Sequence, residues 1–210
     1  MKYFVFAIVL GFFAALNAAA PTPDDKPDLG QVTIEGVKYA GSGCKAGTAS
    51  VSYSKDLQTF TILIDKFEPT IGPDTTISNH VKNCNLNFQV NYPPGYQYTL
   101  YKYDYTGYFL LEPGDTLKQT STYWFAGASS RRTFQSTLHG PYKGDYTFTD
   151  TLQSNLWVWS PCGTSGALNI DTQAALTSNN PKPPGPIIDP IGIPGIKEYQ
   201  HVYGLKWSKC

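Results

Sequence analysis

Cys210, the last residue, is one of four cysteines, and the others are Cys44, Cys84 and Cys162. All four follow an N-terminus in which Lys2 precedes an apolar stretch from Phe4 to Leu16 and the small-residue run Asn17-Ala18-Ala19-Ala20. Those are the three regions of a secretory signal peptide, so residues 1–19 are read as a leader cleaved after Ala18 or Ala19. The apolar stretch is shorter than the roughly 20 residues that span a bilayer, and no later segment reaches that length. Export places the chain in an oxidising compartment, where an even cysteine number reads as two disulfides. Pairing within each half is favoured, Cys44 with Cys84 and Cys162 with Cys210, although four cysteines allow three connectivities. Each such link closes about 40 to 50 residues, worth about 4 kcal/mol in the chain-entropy account.

Between the cysteines the chain reads as strand after strand. Ala49 to Tyr53 and Thr59 to Ile64 flank the turn Ser54-Lys55-Asp56-Leu57, a hairpin signal. Val32, Ile34 and Val37 begin an earlier strand, and Leu86, Phe88 and Val90 alternate with Asn and Gln up to Pro93-Pro94-Gly95. Further strands are expected at Tyr96 to Tyr105, Tyr108 to Leu111, Ser121 to Phe125, Thr133 to Leu138, Asp145 to Phe148, Leu156 to Trp159 and Leu168 to Ile170. A closing strand runs through Tyr199 to Leu205 and Trp207. No long stretch has a period near 3.6, so the fold class is all-β, a single-domain antiparallel β-sandwich over residues 31–210. Residues 20–30 are Pro- and Asp-rich and read as a flexible lead-in. Residues 180–194 carry Pro181, Pro183, Pro184, Pro186, Pro190 and Pro194, too few backbone donors for a sheet ladder, and read as a projecting loop.

Charge narrows the partners. Once Lys2 leaves with the leader, the net charge is about one unit negative, and Arg131 and Arg132 are the only arginines. That lacks the basic footprint of a nucleic-acid binder. No membrane association is expected after signal cleavage, and no Asn-x-Ser/Thr sequon occurs.

Several blocks carry a resemblance. They are Gly41-Ser42-Gly43-Cys44, Asn83-Cys84, Pro93-Pro94-Gly95-Tyr96, Tyr105-Thr106-Gly107-Tyr108, Tyr123-Trp124-Phe125-Ala126-Gly127, Trp159-Ser160-Pro161-Cys162-Gly163 and Leu205-Lys206-Trp207-Ser208-Lys209-Cys210. The chain resembles the secreted fungal, plant and bacterial family named domain of unknown function 4360. The resemblance covers nearly the whole mature chain. It implies secretion, four paired cysteines and an all-β domain, and it brings no catalytic residues. The Pro-rich stretch 180–194 is where the chain departs from it.

No catalytic constellation stands out. His80, His139 and His201 are far apart and lack a nucleophile elbow. The near-pairs Asp65 with Glu68, Asp104 with Glu112 and Asp145 with Asp150 are what scattered acids produce by chance, whereas a glycosidase needs two carboxylates about 5 to 10 Å apart. No metal set is present, since there is no Cys-x-x-Cys and only His80 has metal-like spacing to a cysteine, Cys84. No cofactor is expected. Aromatic residues are the suggestive group. Period two puts Tyr101, Tyr103 and Tyr105 on one strand face, either a row of exposed rings for sugar stacking or the sandwich interior, and the interior is favoured. Trp157 and Trp159 share a face near Cys162; if Cys162 and Cys210 pair, they and Trp207 can converge on that link, and core packing is favoured over a ligand platform. Arg131-Arg132 reads as a solvated loop tip or a protease-sensitive site. The chain is therefore expected to be a non-enzymatic secreted protein that binds cell-wall polysaccharide or an extracellular protein, with Tyr101, Tyr103, Tyr105, Trp157 and Trp159 as candidate binding residues. The alternatives are a small carbohydrate-active hydrolase, or a secreted effector or surface protein that uses its Pro-rich loop.

Overall fold

Alternating β-branched and aromatic residues give each strand one apolar face, and two sheets bury those faces against each other. A computed structural model describes residues 26–65, 67–72, 75–163, 166–180 and 199–210. The expected leader, most of the lead-in and the Pro-rich stretch beyond Asn180 lie outside the described residues. The strands are β1 (Thr33–Ala40), β2 (Ala49–Tyr53), β3 (Thr59–Ile64), β4 (Val81–Asn91), β5 (Tyr96–Leu111), β6 (Asp115–Phe125), β7 (Arg132–His139), β8 (Tyr142–Thr151), β9 (Gly166–Ser178) and β10 (Tyr199–Lys209). A four-residue helix, α1 (Ile77–His80), precedes β4.

The strands form two five-stranded sheets, ordered β1-β4-β9-β6-β7 and β2-β3-β10-β5-β8. Their pairings are antiparallel. The architecture is thus the expected β-sandwich. Gly95 and Gly114 turn the chain between sheets with φ of 85° and 92°, values open to glycine without steric cost.

Both disulfides have the favoured pairing. Cys44–Cys84 lies in the core, with its Cα atoms 5.5 Å apart. Cys162–Cys210 lies on the surface, its Cα atoms 6.0 Å apart, and ties the end of β10 to the segment before β9.

Two strand expectations are corrected. Tyr96 to Leu111 is one unbroken strand of 16 residues, because Gly107 does not interrupt it. The Tyr199 ring lies over Gly107, so close that an added Cβ would meet it at 2.7 Å. Leu156 to Trp159 is not a strand. A 3-10 turn at Ser154–Leu156 is followed by irregular extended chain.

The interior is aromatic with a polar centre. Phe60 stacks on Tyr203 at 4.7 Å, and Leu86, Phe88, Leu168 and Ile170 close the opposite layer. At the middle, Gln119 Nε2 donates to the Tyr103 hydroxyl at 3.0 Å and to Thr172 Oγ1 at 2.9 Å. Tyr103 passes the chain of bonds on to His201 Nδ1 at 2.7 Å. Burial drives His201 down to about 3, so the imidazole is neutral. The Tyr103 oxygen accepts from Gln119 and keeps both a proton and a second lone pair, so it can meet either tautomer of the neutral imidazole at Nδ1. Among the described residues, His201 Nε2 and Gln119 Oε1 have no partner.

Candidate functional site

On β4, β9 and β6 the core residues sit at every second position, so Asn85, Asn87 and Gln89, then Asn169, Asp171 and Gln173, then Thr120, Thr122 and Trp124 face outward. Strand register aligns them. Lys38 on β1 pairs with Asn87, Asn87 with Asn169, and Asn169 with Trp124, a row across four adjacent strands. Three strand gaps make that row about 14 Å long. A second row, Ala40–Asn85–Asp171–Thr122–Thr133, runs beside it. A shallow groove of about 240 Å³ follows the first row, lined by Lys38, Tyr39, Asn85, Asn87, Trp124 and Asn169 among others.

The row combines fixed and free groups. Asn87 Nδ2 donates to Asn169 Oδ1 at 2.8 Å, which sets both amides. The Arg131 guanidinium lies 4.3 Å from the Trp124 ring centroid and steadies the indole. Arg132 donates from Nε to the Leu156 carbonyl. Arg131 is exposed in the loop between β6 and β7, as a solvated tip would be, yet both arginine side chains are engaged. Among the described residues, the side chains of Lys38, Asn85, Gln89 and Asp171 meet no protein partner. Burial raises the Asp171 carboxyl above its ordinary range. The face thus offers one indole, several open amides and one uncompensated carboxylate, all held on rigid strands.

The sequence-predicted residues separate into two groups. Tyr103 and Tyr105 are core residues, at 2% and 0% exposure, so they are withdrawn as a binding surface. Tyr101 does not share their face. Gly204 pairs with Lys102 and Leu205 with Leu100, which leaves Tyr101 as the extra residue of a β-bulge. Leu100 turns in and Tyr101 turns out over Gly204, whose added Cβ would meet the ring at 2.9 Å. Trp157 packs edge-on against Tyr101 at 6.3 Å and against Trp159 at 5.8 Å. All three rings are half-buried. The expected convergence of three indoles on the second disulfide is corrected: Trp207 is buried, donates to the Leu57 carbonyl at 3.0 Å and packs on Tyr92 and Tyr98.

Two of the acidic pairs are too far apart to cooperate. Asp104 on β5 and Glu112, the residue after its end, are eight residues apart, about 27 Å, while Asp145 and Asp150 sit on opposite faces of β8 about 17 Å apart. Asp104 is bound to Lys102 and Thr149, and Asp150 accepts from the Gln135 N–H. The three histidines have separate surroundings: His80 by Thr75, His139 by Thr116, His201 in the core. Among the described residues, no group of three His, Cys, Asp or Glu side chains could hold a metal ion. No helix among them is long and apolar enough to cross a membrane.

The family model described as Domain of unknown function (DUF4360) matches residues 30–210. The chain belongs to this family. An uncharacterized secreted protein of Arthroderma benhamiae is 37% identical over 184 residues, 88% of this chain and 74% of that protein. The chain is a secreted extracellular protein with two disulfides. Among solved structures, TmCBM61 in complex with β-1,4-galactotriose aligns over 83% of this chain and 88% of its own, at 9% identity and TM-score 0.31. The enzymatically active domain of bacteriophage CBA120 tailspike protein 4 aligns at 9% identity and TM-score 0.23, over 87% of this chain but 20% of its own. At these scores neither likeness bears on the site.

Sequence reading missed the groove. Its signal was there in part, in the alternations Asn85-x-Asn87-x-Gln89, Asn169-x-Asp171-x-Gln173 and Thr120-x-Thr122-x-Trp124. What was absent was the order of the strands that sets them side by side.

Proposed function

We propose that this secreted protein acts by binding rather than catalysis, and that it holds a neutral polysaccharide of the extracellular space or cell wall on the outer face of the β1-β4-β9-β6-β7 sheet. The observation that carries the reading is the row Lys38–Asn87–Asn169–Trp124, aligned across four strands. A sugar ring has an apolar C–H face and a rim of hydroxyls. Trp124 supplies a flat apolar surface for the first, and amides that both donate and accept serve the second. Asp171 adds an acceptor for a pair of hydroxyl donors. Strand-borne side chains lose little freedom on binding, which favours affinity for a ligand with modest contact area.

Pull-down on insoluble glucan, chitin and cellulose tests this reading. Retention on at least one polymer is expected, reduced at least tenfold by Trp124→Ala, about the cost of truncating an aromatic anchor. Asn169→Ala should weaken it further by removing the amide that Asn87 orients. No retention on any of the three, or retention that ignores both substitutions, overturns the reading.

A further inference from the structure

We propose that Tyr101, Trp157 and Trp159 form a second sugar-stacking site on the opposite outer face, so that one chain holds two glycan strands at once. The inference rests on the same class of ligand as the groove but on none of its residues.

The three rings are built outward by separate devices. After Thr151 the chain leaves β8 yet stays beside the first half of β5. Leu152 N–H donates to the Tyr101 carbonyl, Ser160 N–H to that of Tyr98 and Gly163 N–H to that of Tyr96, each at 2.8 Å. In that extended run Val158 and Ser160 are buried, at 7% and 4% exposure. Alternation therefore turns Trp157 and Trp159 to the outer side. The bulge turns Tyr101 to the same side, and glycine at 204 gives its ring a seat.

Orientation is fixed, but not every polar group is used. Trp157 Nε1 donates to the Leu152 carbonyl at 3.1 Å, which locks that indole. Among the described residues, the Trp159 indole N–H meets no acceptor. The rings meet at 61° and 81°, so they form an angled surface rather than a flat stack. A purely structural trio of this size would gain by closing over; these rings stay half-buried with a donor free.

Charge selects the ligand. The nearby Lys102–Asp104 pair is closed at 2.7 Å, and Asp104 also accepts from Thr149 at 2.7 Å. That pair is thus internally compensated, and the rings themselves carry no charge for a polyanion to meet. Its border on β8 is Thr147, Thr149 and Thr151, exposed hydroxyl residues rather than the apolar border of a protein-docking patch. An uncharged ligand with apolar ring faces and a hydroxyl rim is what such a surface takes. The two sheets lie about 10 Å apart across the core, so one glycan strand cannot cover both platforms. Two strands bound at once are bridged.

Calorimetric titration with soluble cello-, laminari- and chito-oligosaccharides tests the site, with turbidity of a soluble polymer as readout of bridging. Two binding events per chain and polymer bridging are expected for the unaltered protein. Trp159→Ala or Tyr101→Ala should leave one event and abolish bridging, with unchanged melting temperature, and Trp159→Phe should restore part of the loss. If Trp159→Ala and Tyr101→Ala change neither stoichiometry nor bridging while Trp124→Ala removes binding, this site is overturned and the groove reading stands. If the sole binding event is lost in Trp159→Ala and untouched by Trp124→Ala, this site is upheld, the groove reading falls and bridging falls with it. Capture of a protein through the three rings without any sugar binding overturns both.

Discussion

The hydroxyl of Tyr103 on β5 shares a hydrogen bond with Nδ1 of His201 on β10 across 2.7 Å, at the centre of an otherwise aromatic interior. Neither residue reaches solvent, so the bond orders the core rather than a site. It also couples the two strands that lie at the middle of one sheet to Gln119 on the other. Buried networks of this kind are costly when partly unmade.

His201 makes stability depend on pH in a set direction. Its folded value is depressed to about 3 from an ordinary 6.5. Between those limits the unfolded chain binds a proton that the folded chain refuses, so acid favours unfolding. Stability from this residue is complete above pH 6.5 and declines as pH falls toward about 3. Chemical denaturation at pH 6.5 and pH 5, a window above most carboxylate titration, should show a loss of about 1–2 kcal/mol. His201→Gln should flatten that slope; an unchanged slope would remove His201 as its source.

Tyr103→Phe should destabilise the protein by about 1–3 kcal/mol, because it leaves His201 Nδ1 without its partner and takes an acceptor from Gln119. For a chain of this size each kcal/mol lowers the melting temperature by about 2–4 °C. Since Tyr103 is buried away from both proposed faces, glycan retention at low temperature should be unchanged. A fall in retention without a fall in stability would return Tyr103 to the binding surface.

The two disulfides should differ in reducibility. Cys162 and Cys210 are exposed, whereas Cys44 and Cys84 are at 1% and 0% exposure. Reduction proceeds by thiolate attack on an accessible sulfur. Mild reductant at native pH, followed by alkylation and peptide mapping, should label Cys162 and Cys210 first. Labelling of Cys44 and Cys84 should await denaturant. Simultaneous labelling of all four would contradict the difference in burial.

Gly204→Ala probes the seat of Tyr101. The added methyl would meet Lys102 Cβ and Tyr101 Cε1, both at 2.9 Å. Overpacking of this degree costs about 1–3 kcal/mol, and the ring must shift. The expected result is a lowered melting temperature with altered Trp157 fluorescence, since that indole packs on Tyr101. An unchanged emission spectrum would mean that Tyr101 is not held by the glycine.

Local chemistry was legible where local contacts decide the outcome. The hairpin β2–β3 was read at its true limits because five paired residues on each strand flank one short turn. Burial of Tyr103 and Tyr105 was favoured from charged residues on the alternate face. Tyr101 escaped that rule, because a bulge depends on the partner strand, and β10 lies nearly a hundred residues downstream. The strand expected at Leu156 to Trp159 failed for a similar reason: its apolar pattern is real, but its neighbour is an irregular stretch of bonds to β5.

The amino-acid sequence by itself determined compartment, disulfide number, fold class and most strand positions. Those follow from hydrophobic period, cysteine count and turn residues, all short-range properties. Only tertiary structure decided that Lys38, Asn87, Asn169 and Trp124 stand in one row, and that Tyr101 stands with Trp157 and Trp159. Strand order is set by how two whole apolar faces close on each other, a global packing outcome that no window of sequence contains.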